Sequence, residues 1–317
     1  MQAALPHPSG SGNILAGVLC GIAAGALWGL VFLAPELARA FSPLQLSIGR
    51  YLAYGLLSVA LIAPRWARLR ALLSRRDWLD LAWLALAGNT LYYILLAAAV
   101  QTGGIAMTSL IVGFLPVLIT LIGSRARGAV PFAQLLPSLL FCAAGAICIG
   151  WHALAALASG AQPGQLVGLA CAVAALLCWT AFAIGNSRAL ARLGGVSAHE
   201  WNLLLGLATG AQALLLLPAA LIHDTWTQSG ADWLLFAALS VGVALLASLG
   251  GYALWNRMSR LLPLTLVGQM ILFETLFALI YAFLWEQRLP TALEAAAFVF
   301  LSLGVVTCLS AHQQRPR

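Results

Sequence analysis

Two ionisable side chains stand inside long apolar runs of this sequence, Glu274 and Arg50. Glu274 lies about 12 residues into the run 262–284, near the midplane if that run crosses a bilayer. An ionised carboxylate there is costly, so it must be protonated, paired or solvated by a cavity. It is a candidate for proton or substrate coupling. Arg50 lies nearer the outer end of the run 43–63, where its long side chain can snorkel to the interface. Snorkelling is the expectation for it, ahead of substrate contact.

Aromatic and polar side chains add a second kind of chemistry, the binding of a flat apolar body. Trp28 and Trp179 fall about 14 residues into their runs, too deep for an interfacial belt, and could bracket a solute. Tyr93 and Tyr252 fall in outer and inner thirds and could act as gates. Core filling is the alternative for all four. Asn89, Ser248 and Gln269 are among the few polar residues inside runs. Ser248 can simply bond back to its own helix. Asn89 and Gln269 are costlier to bury and suit a wet cavity. Gly25, Gly29 and Pro116 are candidate hinges, and Pro218 is expected to end its helix.

Other chemistry is excluded by what the sequence lacks. All 16 basic residues are Arg, so no Schiff-base lysine exists. One deep carboxylate without a partner and no HExxH leave an intramembrane enzyme without its parts. No metal and no cofactor are expected. The six cysteines sit in apolar runs without ligand spacing and read as packing residues. No phosphate-binding loop is present, so an ATPase is not expected within the chain or as a subunit.

The elements that must carry these residues are membrane helices. The chain has 317 residues, 62% hydrophobic and 8% charged, with mean hydropathy +0.96. Soluble domains carry about 25% charged residues. The net charge of +7 therefore points to a lipid bilayer rather than nucleic acid. After a Pro/Ser/Gly tail over 1–13, expected to be disordered, ten apolar runs follow. They are 14–34, 43–63, 78–100, 104–123, 133–150, 165–187, 197–220, 231–256, 262–284 and 291–310, with a linker at 151–164 and a tail at 311–317. Thirteen arginines fall on one side of this arrangement and two on the other, which puts both termini in the cytoplasm. A signal peptide is not expected, because residues 1–13 hold no Lys or Arg.

Gly17, Gly21, Gly25 and Gly29 recur every four residues on one face of the first run. In lipid such a face lets another helix approach closely. Shifted by 151, Gly17 meets Gly168, Cys20 meets Cys171 and Trp28 meets Trp179; shifted by 159, Tyr93 meets Tyr252 and Pro131 meets Pro290. Two halves of five spans each, 14–150 and 165–310, would be inverted relative to one another, as in many secondary transporters.

Five motifs stand along the chain, Gly25-Ala-Leu-Trp28-Gly29, Arg50-Tyr51, Gly113-Phe-Leu-Pro116, Glu274-Thr-Leu-Phe277-Ala278 and Trp285-Glu286. In these the chain resembles the drug/metabolite transporter superfamily in its ten-helix EamA-type form, with Thr275 where that family often has proline. Among members it looks most like the aromatic amino acid exporters of bacterial inner membranes.

The resemblance implies an all-α, ten-helix inner-membrane exporter of aromatic and other hydrophobic amino acids, working by alternating access through a central cavity. An exporter of other small metabolites or drugs stays open. So do exact substrate, coupling, direction of flux and oligomeric state, a monomer being compatible with it.

Overall fold

The computed structural model describes residues 11–123, 132–158, 164–193, 195–262 and 270–313. Every regular element among them is helical. Among the described residues six helices are long and apolar enough to cross a membrane by length and composition, and three more apolar helices are shorter. Large aliphatic side chains cover the outer surface, Leu215 at 79% and Ile222 at 77% exposure among them. Such a surface fits hydrocarbon better than water.

The first helix, α1, runs Ser11–Leu37; α2 is Pro43–Ile62 and a short α3 is Trp66–Leu72. Next, α4 (Arg75–Ala85) passes through a π-helical turn, Leu86–Thr90, into α5 (Leu91–Gly103). The following run is broken at Gly113 and Phe114 into α6 (Ile105–Val112) and α7 (Leu115–Gly123). Pro116 sits in the first turn of α7, where its missing N–H breaks no bond. The long helices α8 (Phe132–Ala158), α9 (Gly164–Arg192) and α10 (Ala198–His223) come next. Then α11 (Gly230–Val243) enters a second π-helical stretch, Ala244–Gly251, and continues as α12 (Tyr252–Leu261). Finally come α13 (Leu272–Glu286) and α14 (Ala292–Gln313).

Several boundaries differ from the sequence reading. Helix α1 starts at Ser11, inside the expected tail, whose other residues lie outside the described ones. Helix α8 continues to Ala158, eight residues into the expected linker. Pro218 does not end α10, which runs on to His223. Proline removes one hydrogen bond but fixes a helical φ, and near a helix end that loss is small.

Helix starts are fixed by short polar side chains. Ser42 accepts from the Gln45 amide, and the same capping box recurs at Ser74/Asp77, Ser197/Glu200 and Ser229/Asp232. Each satisfies amides that would otherwise be orphaned at a helix start.

The packing is set by small residues. The glycine ladder of α1 faces α12 and α13. A Cβ on Gly17 would lie 2.6 Å from Leu262, one on Gly21 2.7 Å from Met258, and one on Gly29 3.0 Å from the Ala278 nitrogen. Helix α2 lies along α10, and α8 along α14. Gly55 and Gly210 touch directly: a Cβ on either would be 2.8 Å from the other's Cα. Helix α9 packs on α5, with Gly168 against Gly103.

Candidate functional site

A cavity opens where α1, α2, α9, α13 and both π-helical segments meet. Its lining includes Trp28, Arg50, Trp179, Tyr252 and Glu274. The space inside is about 40 Å³, room for about three waters. A solute with an aromatic ring fits only if the walls part.

The walls are largely aromatic. Trp28 meets Tyr252 edge-on at 5.6 Å and Trp255 at 5.1 Å. Its indole Nε1 donates to the Ala247 carbonyl at 3.1 Å. On the other side Trp179 packs 5.9 Å from Tyr92 and 6.0 Å from Phe182. The indole–carbonyl bond fixes Trp28 while leaving its ring apolar.

The π-helical stretch 244–251 supplies acceptors to both neighbours. The Ala247 carbonyl takes the Trp28 bond, and the Ser248 carbonyl accepts from Asn202 Nδ2 at 3.1 Å. The Tyr54 hydroxyl donates to Asn202 in turn, 2.6 Å from its carbonyl oxygen and 2.8 Å from its side-chain oxygen. Widened turns of this kind commonly mark functional positions in helices.

Arg50 does not snorkel. It is only 8% exposed, and its guanidinium lies 4.4 Å from the centre of the Tyr93 ring and 5.1 Å from that of Tyr51. Its Nη2 donates to Ser248 Oγ at 3.3 Å. The helical rotation of α2 points it at π-helical residues of the other half of the chain, so the interface is out of its reach. The ring faces stabilise the buried cation.

Glu274 also lines the cavity, at the start of α13. Its depth against α1 follows from Gly25, where a Cβ would stand 2.9 Å from the Glu274 amide nitrogen. Among the described residues no cation pairs with Glu274 and no carboxylate pairs with Arg50. Two ionisable groups, one acidic and one basic, thus line one small cavity, each without an ionic partner among the described residues.

Of the residues singled out from the sequence, Trp28, Trp179, Asn89, Ser248 and Tyr252 line this cavity. Asn89 also donates to Thr209 Oγ1 at 3.1 Å. Tyr93 stands behind Arg50, fully buried, and its neighbour Tyr92 lines the cavity instead. Gln269 lies outside the described residues. Gly25 and Gly29 lie in close helix contact, and α1 is continuous through both. Tyr54, Tyr92 and Asn202 were missed; a polar Asn202 inside an apolar run was the available signal.

A larger cavity, about 120 Å³, lies near one end of the bundle beside Gly104, Gln165, Glu286, Arg288 and Glu294. Its charges are already satisfied. Arg288 holds Glu294 through two bonds of 2.6 and 2.8 Å and Glu286 through one of 2.5 Å. These carboxylates raise the Arg288 pKa, and the guanidinium stays charged. Elsewhere Arg192 binds Asp77 and Asp80 at 3.1 and 2.5 Å, and Arg68 pairs with Glu200. The smaller cavity, whose ionisable groups have no ionic partner among the described residues, is therefore the better candidate for a ligand.

Comparison with known proteins decides the class. Residues 15–151 match the EamA-like transporter family. The inner membrane protein YtfF of Escherichia coli (strain K12) is 33% identical over 324 residues, which cover 96% of this chain and 98% of YtfF. This chain belongs to the EamA-like transporter family. As a member of that family, and of the drug/metabolite transporter superfamily, it is a transporter of small molecules rather than an enzyme. A solved crystal structure superposes with a TM-score of 0.61 at 19% identity, covering 94% of this chain and 99% of its own. At that identity the likeness extends to the fold alone.

Proposed function

We propose that this EamA-like transporter exports aromatic and other hydrophobic amino acids across the bacterial inner membrane by alternating access. The observation that carries the reading is the meeting of Trp28, Trp179, Tyr92 and Tyr252 around one cavity. Such walls suit a flat apolar body, and ring stacking adds roughly 0.5–1.5 kcal/mol beyond area burial. That is enough for preference without retention. Sugar phosphates are disfavoured, since one arginine cannot replace the hydration of a dianion.

Alternating access rests on a fold of ten spans in two inverted halves, 14–150 and 165–310. Several contacts support it. The Gly55–Gly210 contact is reciprocal, as at a two-fold axis. Gly17 against Leu262 mirrors Gly168 against Gly103, at the offsets 151 and 159. Each half carries a π-helical segment at the cavity. The family match also ends at residue 151, near the division. With the arginine bias, both termini are cytoplasmic; YtfF, by its name, is an inner membrane protein. Glu274 is the candidate coupling carboxylate, and Gly25, Gly29 and Pro116 are candidate hinges.

Uptake of phenylalanine, leucine and a sugar phosphate into proteoliposomes tests the reading, with and without a proton gradient. Transport of phenylalanine and not of the phosphate is expected. Equal transport of both contradicts it.

A further inference from the structure

Arg50 is left with donors that the protein does not use. Its Nε and Nη1 are buried and have no hydrogen-bond partner among the described residues, while Nη2 spends one bond on Ser248. A guanidinium carries five N–H bonds, so one on Nε and two on Nη1 are unused. The faces of Tyr51 and Tyr93 stabilise its charge. Glu274 lines the same cavity and makes no ion pair with it among the described residues. Buried donors without acceptors are costly and uncommon in folded proteins. At a ligand cavity they mark the place of an acceptor that arrives with the ligand.

The ligand group follows from the donor. Nη1 and the second hydrogen of Nη2 form a planar fork, and the matching acceptor is a planar anion with two oxygens. A carboxylate satisfies that geometry with one negative charge, which Arg50 balances. We propose that Arg50 holds the carboxylate of the transported solute, so that the carrier selects carboxylates over the corresponding neutral amides. This rests on the reading of the cavity as the transport site, and it assigns the end of the solute that the aromatic walls do not read. The carboxylate approaches between Arg50 and Ser248, replacing the hydration it loses with charge-assisted bonds.

Paired solutes test this in proteoliposomes: phenylalanine with phenylalaninamide, and leucine with leucinamide, each measured above protein-free liposomes. The native protein is expected to move each acid at least about tenfold faster than its amide, the effect of about 1.4 kcal/mol. Arg50→Gln is expected to bring each pair within about threefold, and Arg50→Lys to fall between, keeping charge but losing the fork. A purely structural Arg50 would lower acid and amide by the same factor and leave their ratio unchanged, which overturns the proposal. Equal rates for acid and amide in the native protein overturn it without any variant, so misfolding of Arg50→Gln does not shield it. If leucine moves with acid preference and phenylalanine does not move, the aromatic reading falls and the Arg50 assignment stands. If no carboxylate moves, both fall.

Discussion

Gly25 of α1 and Glu274 of α13 pack backbone against backbone. A Cβ on Gly25 would lie 2.9 Å from the Glu274 amide nitrogen and 2.7 Å from Phe273 Cβ. No side chain fits between them, and this closeness holds the carboxylate at the cavity wall. Gly25→Leu is expected to cost about 1–3 kcal/mol by overpacking. The measurement is the melting temperature in detergent, with Gly242→Ala as the control. Gly242 has nothing within 4 Å of its added Cβ, and its alanine variant should melt no lower than the parent. Equal melting of Gly25→Leu and the parent would refute the tight contact.

Glu274 is expected to matter for transport more than for folding. It lines the cavity with no ionic partner among the described residues, so Glu274→Leu removes no ion pair seen there. We expect transport to fall at least about tenfold, corresponding to about 1.4 kcal/mol, while the fold persists. Parental transport rates in Glu274→Leu would remove it from the mechanism.

The Gly55–Gly210 contact makes a symmetric prediction. Because each glycine meets the other's Cα at 2.8 Å, Gly55→Leu and Gly210→Leu should lower the melting temperature by similar amounts. The double variant should cost less than the sum, because one forced separation of α2 and α10 accommodates both side chains. Strictly additive losses would mean that the two positions do not share an interface.

Topology can be checked separately. With thirteen arginines on one side, a reporter fused after Arg317 is expected to be active only in the cytoplasm. Activity confined to the periplasm would reverse the orientation.

Much of this was legible in the sequence. The four-residue spacing of Gly17, Gly21, Gly25 and Gly29 needs only helical periodicity to become a packing face, and it is one. Trp28, Trp179 and Tyr252 stand out by depth and repeat position, Asn89 and Ser248 as polar residues inside apolar runs, and all five line the cavity. Two features were hidden. The π-helical turns change the rotation of a helix without a motif, and Tyr92 rather than Tyr93 faces the cavity. Depth alone also suggested that Arg50 reaches the interface, whereas the rotation of α2 turns it inward. The helix caps carry a further repeat signal. The helix-start pairs Ser42/Gln45 and Ser197/Glu200, and Ser74/Asp77 and Ser229/Asp232, are each 155 residues apart, and Asp-Trp-Leu recurs at 77–79 and 232–234.

The central claim is that the tryptophans of this cavity read an aromatic solute, and phenylalanine flux in proteoliposomes tests it most directly. Trp28→Ala, Trp179→Ala and the double variant should each remain folded, with phenylalanine flux lowest in the double variant. Loss of stacking at about 0.5–1.5 kcal/mol per ring predicts a drop of roughly twofold to tenfold for each single variant. Parental phenylalanine flux in a folded Trp28→Ala/Trp179→Ala protein would contradict the account.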